Sequence, residues 1–296
     1  MTPPAAGPAP ARCLWEAGAV LGEGPLWLAE EGALYWLDIK APAVHRVVPA
    51  TGARQSWPMP ERIGFLCPRR GGGFIGGLKS GLALIDLDGG RIEPFGGPET
   101  DLPDNRLNDG KADAAGRLWF GSMDDNEVAP TGRLYRLDAD RSWRELDDGY
   151  VVTNGPAFSP DGGRLYHTDT FARTIHAFDL SPDGELDNKR PFVTIPAEAG
   201  YPDGMTVDAE GHLWVAHWGG WRLSRYRPDG SLERILPLPV SQVTSCAFGG
   251  SDLETLYITT AAIGLGEAAL RDQPLAGGLF EVPVGIKGLP PGRYAG

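Results

Sequence analysis

Short strand-like runs recur along the chain at a nearly constant interval. They centre on Leu34-Tyr35-Trp36, Gly73-Phe74-Ile75, Leu118-Trp119-Phe120, Leu165-Tyr166-His167, Leu213-Trp214-Val215 and Leu256-Tyr257-Ile258. β-Branched and aromatic residues alternate there with small ones, which suits a pleated, half-buried surface. Each run follows a shorter strand and a polar turn built from Asp, Pro and Gly, which preset the backbone angles a turn needs. A third strand is legible at 43–47, 134–137, 174–178, 223–226 and 278–282. The period, about 40–50 residues, is that of a four-stranded propeller blade. After the last of these strands only a short tail remains, so the sixth blade lacks a strand. Residues 13–21 are predicted to supply it and to close the ring with the two ends of the chain, which removes an exposed sheet edge. The pattern predicts an all-β fold, a six-bladed β-propeller with four-stranded blades around a central channel. It spans 12–296 as a single domain after a flexible tail at 1–11.

Composition changes this picture little. A length of 296 residues by itself suggests two domains,, but no single blade buries both its faces, so one closed ring is the economical solution. The 42 glycines and 27 prolines fit many short strands and turns,. A net charge of -12 argues against nucleic acid and anionic membranes as partners,. The three cysteines, Cys13, Cys67 and Cys246, form no metal or redox spacing and suit a reducing compartment,. The first twelve residues lack the basic and apolar regions of a secretion signal, and no run approaches the ~18–20 apolar residues of a membrane span. A cytoplasmic monomer is expected.

The repeat phase locates the chemistry. Roughly ten to twelve residues before the run centres stand Glu23, Asn108, Asn154, Asp203 and Thr244, with apolar Ile63 in the second repeat. Innermost strands of a propeller surround one channel, so polar residues at this phase converge although they are far apart in sequence. Pro-Asp-Gly occurs at 160–162, 182–184, 202–204 and 228–230. Three copies are ordinary turns. The copy with Asp203 falls instead at the start of an inner strand, because Ala209-Glu210-Gly211 already supplies that blade's turn. Glu23 lies between two glycines in an apolar stretch, where burying its charge is costly without a cation. Asn154, in an Asn-Gly pair that elsewhere reads as a turn, shares the phase. Glu23, Asn154 and Asp203 together offer three oxygen donors for one divalent cation: Ca2+, Mg2+ or Mn2+ by hardness, with Fe2+ and Zn2+ admitted. Asn108 is placed to bind a polar substrate, and Arg106 is expected on a loop over the channel mouth. Asp109 and Lys111 are assigned to stabilising a turn. The five histidines form no cluster, and His217 is the best of them for a supporting role.

Several segments carry a resemblance that covers most of the chain, from about Leu14 onward. Leu21-Gly22-Glu23-Gly24-Pro25-Leu26-Trp27, Asn108-Asp109-Gly110-Lys111-Ala112-Asp113, Thr153-Asn154-Gly155-Pro156, Tyr201-Pro202-Asp203-Gly204-Met205 and the stretch from Thr244 to Gly250 resemble the regucalcin/gluconolactonase (senescence-marker protein) family. The resemblance implies a six-bladed propeller with one divalent metal held by Glu23, Asn154 and Asp203. It implies hydrolysis of sugar lactones, with Arg106 and Asn108 contacting the substrate. A substrate-holding acidic residue of the family falls on Asn126, after Asp124-Asp125. Asp203 is the expected catalytic group, orienting or deprotonating the attacking water; activation of that water by the cation is the rival. A calcium-binding regulatory propeller without turnover, an organophosphate-ester hydrolase and a scaffold for protein partners remain alternatives.

Overall fold

The structure, a computed structural model, describes residues 10–296. Six antiparallel four-stranded sheets form the ring. Five blades are sequential: β1 (Arg12–Trp15) is set aside, and β2 (Gly22–Leu28), β3 (Ala33–Asp38), β4 (Ala43–Val48) and β5 (Ala53–Pro58) make the first. The others begin with innermost strands β6 (Ile63–Pro68), β10 (Asn105–Ala112), β14 (Thr153–Phe158), β18 (Tyr201–Val207) and β22 (Val243–Gly249). Each run centre of the sequence pattern lies in or at the edge of the second strand of its blade: β3, β7 (Phe74–Leu78), β11 (Leu118–Asp124), β15 (Arg164–Asp169), β19 (Leu213–Trp218) and β23 (Thr255–Thr260).

The sixth blade runs β22, β23, β24 (Leu279–Pro283) and then β1. Arg12 pairs with Glu281 and Cys13 with Phe280. The N-terminal segment therefore closes the ring as expected, though its strand is only Arg12–Trp15, and Leu21 makes an isolated bridge to Ala261. The flexible tail predicted at 1–11 lies outside the described residues over 1–9. Residues 10 and 11 belong to no strand.

Burial falls from the axis outward. β3 is buried at every position, whereas β5, the outermost strand of its blade, is almost wholly exposed. The apolar clusters lie between blades: one joins Trp214 and Leu223 to Phe248 and Leu256, another joins Leu26 and Tyr35 to Ile63 and Phe74. A blade thus completes its core only against its neighbours, which is why the repeat cannot stand alone. Among the described residues, no helix is long and apolar enough to cross a membrane.

The segment after β24 straps the far end of the channel. Ala209 donates to the Lys287 carbonyl at 2.8 Å, Tyr294 to the Pro68 carbonyl at 2.9 Å and Ala295 to the Gly116 carbonyl at 3.0 Å. The Tyr294 ring is fully buried and its hydroxyl donates to the Asp138 carbonyl at 2.8 Å. Tyr294→Ala is expected to cost about 3–5 kcal/mol through the cavity it leaves, read by urea denaturation. A loss under about 1 kcal/mol would show the strap to be loosely held.

Candidate active site

A β-bulge interrupts every inner strand at the same level. Register shifts fall between Glu23 and Leu26, Leu107 and Gly110, Asn154 and Ala157, and Pro202 and Met205. Bulges re-aim side chains out of the alternating pattern. Here they turn Glu23, Asn108, Asp109, Asn154 and Asp203 to the axis, where all five are 4–9% exposed. A glycine follows four of these residues, and packing requires it. Gly155 has a φ of +83°, and a Cβ there would meet Met205 Cε at 2.4 Å. A Cβ on Gly204 would meet Ser245 Oγ at 2.2 Å. Pro202-Asp203-Gly204 accordingly lies in β18, while the other three Pro-Asp-Gly copies lie in turns.

Hydrogen bonds fix the amides. Asn108 Nδ2 donates to the Thr153 carbonyl at 2.6 Å and to Asn154 Oδ1 at 3.3 Å. Asn154 Nδ2 donates to Thr170 Oγ1 at 3.0 Å, which orients its oxygen. Arg106 departs from the loop expected for it. It lies in β10, 4% exposed, with Nη1 donating to Asn108 Oδ1 at 2.6 Å and Nε to Asp125 Oδ1 at 3.0 Å. Asp109 and Lys111 also lie in β10 rather than a turn. Asp109 accepts from the Gly155 amide at 3.0 Å, and Lys111 Nζ stands 4.0 Å from its carboxylate. Asp109 is the site residue that sequence reasoning assigned elsewhere. Its signal was present: Asp109-Gly110 repeats the acid–glycine pair of Glu23-Gly24 and Asp203-Gly204.

The carboxylates crowd one another. Burial first, then repulsion from Asp109, pushes Glu23 up to about 8. Burial, then Glu23 and Asp109, raises Asp203 well above the ordinary carboxylate range. Asp109 is raised by burial as well. Among the described residues, the Glu23 carboxylate accepts only the amide of Gly24, at 3.0 Å. Three buried acids with one paired lysine, Lys111 beside Asp109, stand next to the oriented oxygen of Asn154, so Glu23, Asn154 and Asp203 could hold a divalent cation,.

Other expected residues fall elsewhere. Asn126 is exposed, and its amide donates to Asp124 Oδ1 at 3.0 Å; its neighbour Asp125 reaches inward to Arg106 instead. Thr244 is turned to the blade junction, donating to the Gly22 carbonyl at 2.6 Å. His217 is buried opposite Pro202, with Nδ1 2.9 Å from the Ala199 carbonyl, and burial lowers it to about 4, so it is neutral at pH 7. Asp208, Glu210 and His212 also gather, but Arg225 already occupies the two carboxylates, with Nε donating to Asp208 at 2.8 Å and Nη2 to Glu210. A cavity of about 640 Å³ lies toward the strap, lined by Leu26, Phe65, Phe248 and Leu289. Of the charged axial residues only Asp109 and Lys111 border it.

Residues 21–262 match the SMP-30/Gluconolactonase/LRE-like region. The chain is 36% identical to a 6-deoxy-6-sulfogluconolactonase of Pseudomonas putida, covering 96% of this chain and 98% of that one. It is 38% identical to an L-arabinolactonase of Azospirillum brasilense, covering 93% and 92%. A crystal structure of a calcium-binding protein, regucalcin, from Agrobacterium tumefaciens superimposes with a TM-score of 0.93 at 29% identity, covering 97% and 98%.

Proposed function

The chain belongs to the SMP-30/gluconolactonase/LRE-like family, and from that footing we propose that it is a metal-dependent lactonase that opens an aldonolactone to the aldonic acid. Relatives at 36% and 38% identity over more than nine-tenths of the chain are lactonases, which supports the reaction class. Metal dependence rests on one observation: Glu23, Asp109 and Asp203 are buried together, and among the described residues Lys111, 4.0 Å from Asp109, is the one cation paired with any of them. Glu23, Asn154 and Asp203 would hold the ion; when bound, it would supply Lewis-acid polarisation of the lactone carbonyl. The oxygen donors suit Ca2+, Mg2+ or Mn2+, with Zn2+ and Fe2+ admitted.

The chain's own residues account for the rest. A carboxylate oxygen of Asp203 orients water toward the carbonyl carbon, accepts its proton and returns it to the ring oxygen as the C–O bond breaks. Arg106 spends Nε on Asp125 and Nη1 on Asn108 and the Leu107 carbonyl, which leaves the Nη2 N–H groups for sugar hydroxyls,. Asn108 Oδ1 keeps a second lone pair for a substrate hydroxyl. Substrates of this shape include glucono-, xylono- and arabinonolactones, of either ring size. We read the protein as a cytoplasmic monomer with free thiols at all three cysteines.

The test is chelator-stripped protein, reconstituted with each divalent ion and assayed against pentono- and hexonolactones. Turnover that appears only with metal supports the proposal. Full turnover in stripped protein overturns the metal role, and metal binding without turnover on any lactone favours a calcium-binding propeller. Arg106→Ala is expected to raise KM, with a loss of about 1.5–3 kcal/mol for a charge-assisted hydrogen bond. Unchanged lactone kinetics would remove Arg106 from the substrate.

A further inference from the structure

Next to Arg106, four cations converge on one carboxylate. Asp125 Oδ1 is 3.2 Å from Lys40 Nζ and 3.0 Å from Arg106 Nε. Its Oδ2 is 3.3 Å from Lys79 Nζ and also meets Arg62 Nη1. Lys40 follows β3 in the first blade, Arg62 and Lys79 flank β6 and β7 in the second, and Arg106 belongs to the third. The Asp125 side chain is 6% exposed. Nearby, Glu127 acts on both Lys40 and Arg106, whereas Glu61 is engaged with the Ser80 amide at 2.9 Å. Arg106 also feels Glu23 and Asp203 from the axial group, but in direct contact the four cations share the single carboxylate of Asp125, in a chain whose net charge is -12.

An ion network that merely tied three blades together would balance its charges. This one sets four cations against one carboxylate in direct contact, and their crowding is costly. Burial, and then the neighbouring Arg106 and Arg62, pushes Lys40 down to about 8. Such an arrangement is stable when a further anion completes it. The cluster also adjoins the proposed reaction centre. Arg106 Nη1 donates to Asn108 Oδ1, and Asn108 Nδ2 donates to Asn154 Oδ1. Two hydrogen bonds thus separate the basic groups from the oxygen donors. A sugar lactone with its carbonyl near Glu23, Asn154 and Asp203 would extend its far end past Arg106 toward Lys40, Arg62 and Lys79.

We propose that Lys40, Arg62 and Lys79, together with Arg106, form a subsite for an anionic group carried by the substrate at the end remote from the lactone carbonyl: a phosphate, a sulfonate or a carboxylate. The subsite rests on the lactonase reading and narrows its substrate class. Asp125 is the internal counter-ion that holds the four cations in place before the substrate's anion shares them. The half-exposed Lys79 and Arg62 form its outer wall, and Arg106 and Lys40 its floor.

The experiment compares kcat/KM for a neutral hexonolactone with its 6-phosphate, 6-sulfonate and 6-carboxylate counterparts. Wild type, the Arg62→Ala/Lys79→Ala double variant and Lys79→Glu are assayed in metal-reconstituted form at low and high salt. Wild type is expected to prefer at least one anionic lactone by about tenfold or more, chiefly through KM. The double variant should lose roughly tenfold of that ratio, Lys79→Glu should lose more, and salt should erode the anionic arm selectively. The arm that wins identifies the anion. A wild type that favours the neutral lactone over all three, or a preference that survives the double variant, overturns the subsite. If no lactone of any kind is hydrolysed, the lactonase reading itself fails. Calorimetric titration with inorganic phosphate and with sulfate then decides the subsite separately: binding that vanishes in the double variant supports it, and no binding overturns it.

Discussion

Asp203→Asn should lose about 10²–10⁴-fold in lactone kcat while the cation-free protein melts higher than wild type. The substitution keeps an oxygen donor of nearly the same size but removes the group that accepts and returns a proton. It also removes one of three mutually repelling buried acids. Asp203 sits well above the ordinary carboxylate range because of burial, then Glu23, then Asp109, so neutralising it relieves the cation-free fold. A residue that only held the blades together would show the reverse: a lower melting temperature and activity that follows the folded fraction. Lactone assays at saturating metal, beside thermal melts in chelator, separate the cases. Retained turnover in Asp203→Asn would sink the catalytic role.

Stability of the cation-free protein should fall as pH rises from about 4.5 to about 8, and a bound divalent cation should remove most of that slope. Glu23 is raised to about 8 by burial and then by Asp109, with Asp109 and Asp203 shifted the same way. A carboxyl whose folded pKa is raised holds its proton more tightly in the folded state. Its contribution is therefore fully present below the unfolded value and lost as pH climbs through the folded one. Each such proton steepens the fall by at most about 1.4 kcal/mol per pH unit. A cation prefers the ionised carboxylates, so its stabilisation grows toward the alkaline end. Glu23→Gln should flatten the profile and weaken metal binding, with excess metal restoring part of the activity. Melts between pH 5 and 8, in chelator and in excess Ca2+ or Mn2+, provide the check. A flat chelator profile would show that these acids do not share one site.

Some of the site was legible before the fold. The recurring second strands set the phase of the inner strands, and that phase placed Glu23, Asn154 and Asp203 on one channel. It also separated Pro202-Asp203-Gly204 from the three turn copies of the same tripeptide. Thr244 shows the limit of phase alone: it recurs at the right interval, yet its hydroxyl is spent on Gly22 at the ring closure.

The one-dimensional pattern determined the architecture, because a blade's strand spacing and its closure by the N-terminal segment depend on local alternation, turns and the number of strands left over. The tertiary structure alone decided which polar side chains reach the axis and what meets them there. Asp109 and Lys111 looked like turn residues because the bulge after Leu107 shifts the register by an amount that no local spacing reveals, and a shift of one residue changes the face a side chain takes. Arg106 looked like a loop residue because its partner Asp125 lies across the strand pair, held in turn by cations from two other blades. Asn126 and Asp125 are adjacent in sequence and differ in burial because only Asp125 has those cations to face. Charge balance in the channel is a sum over blades, and only the closed ring brings its terms together.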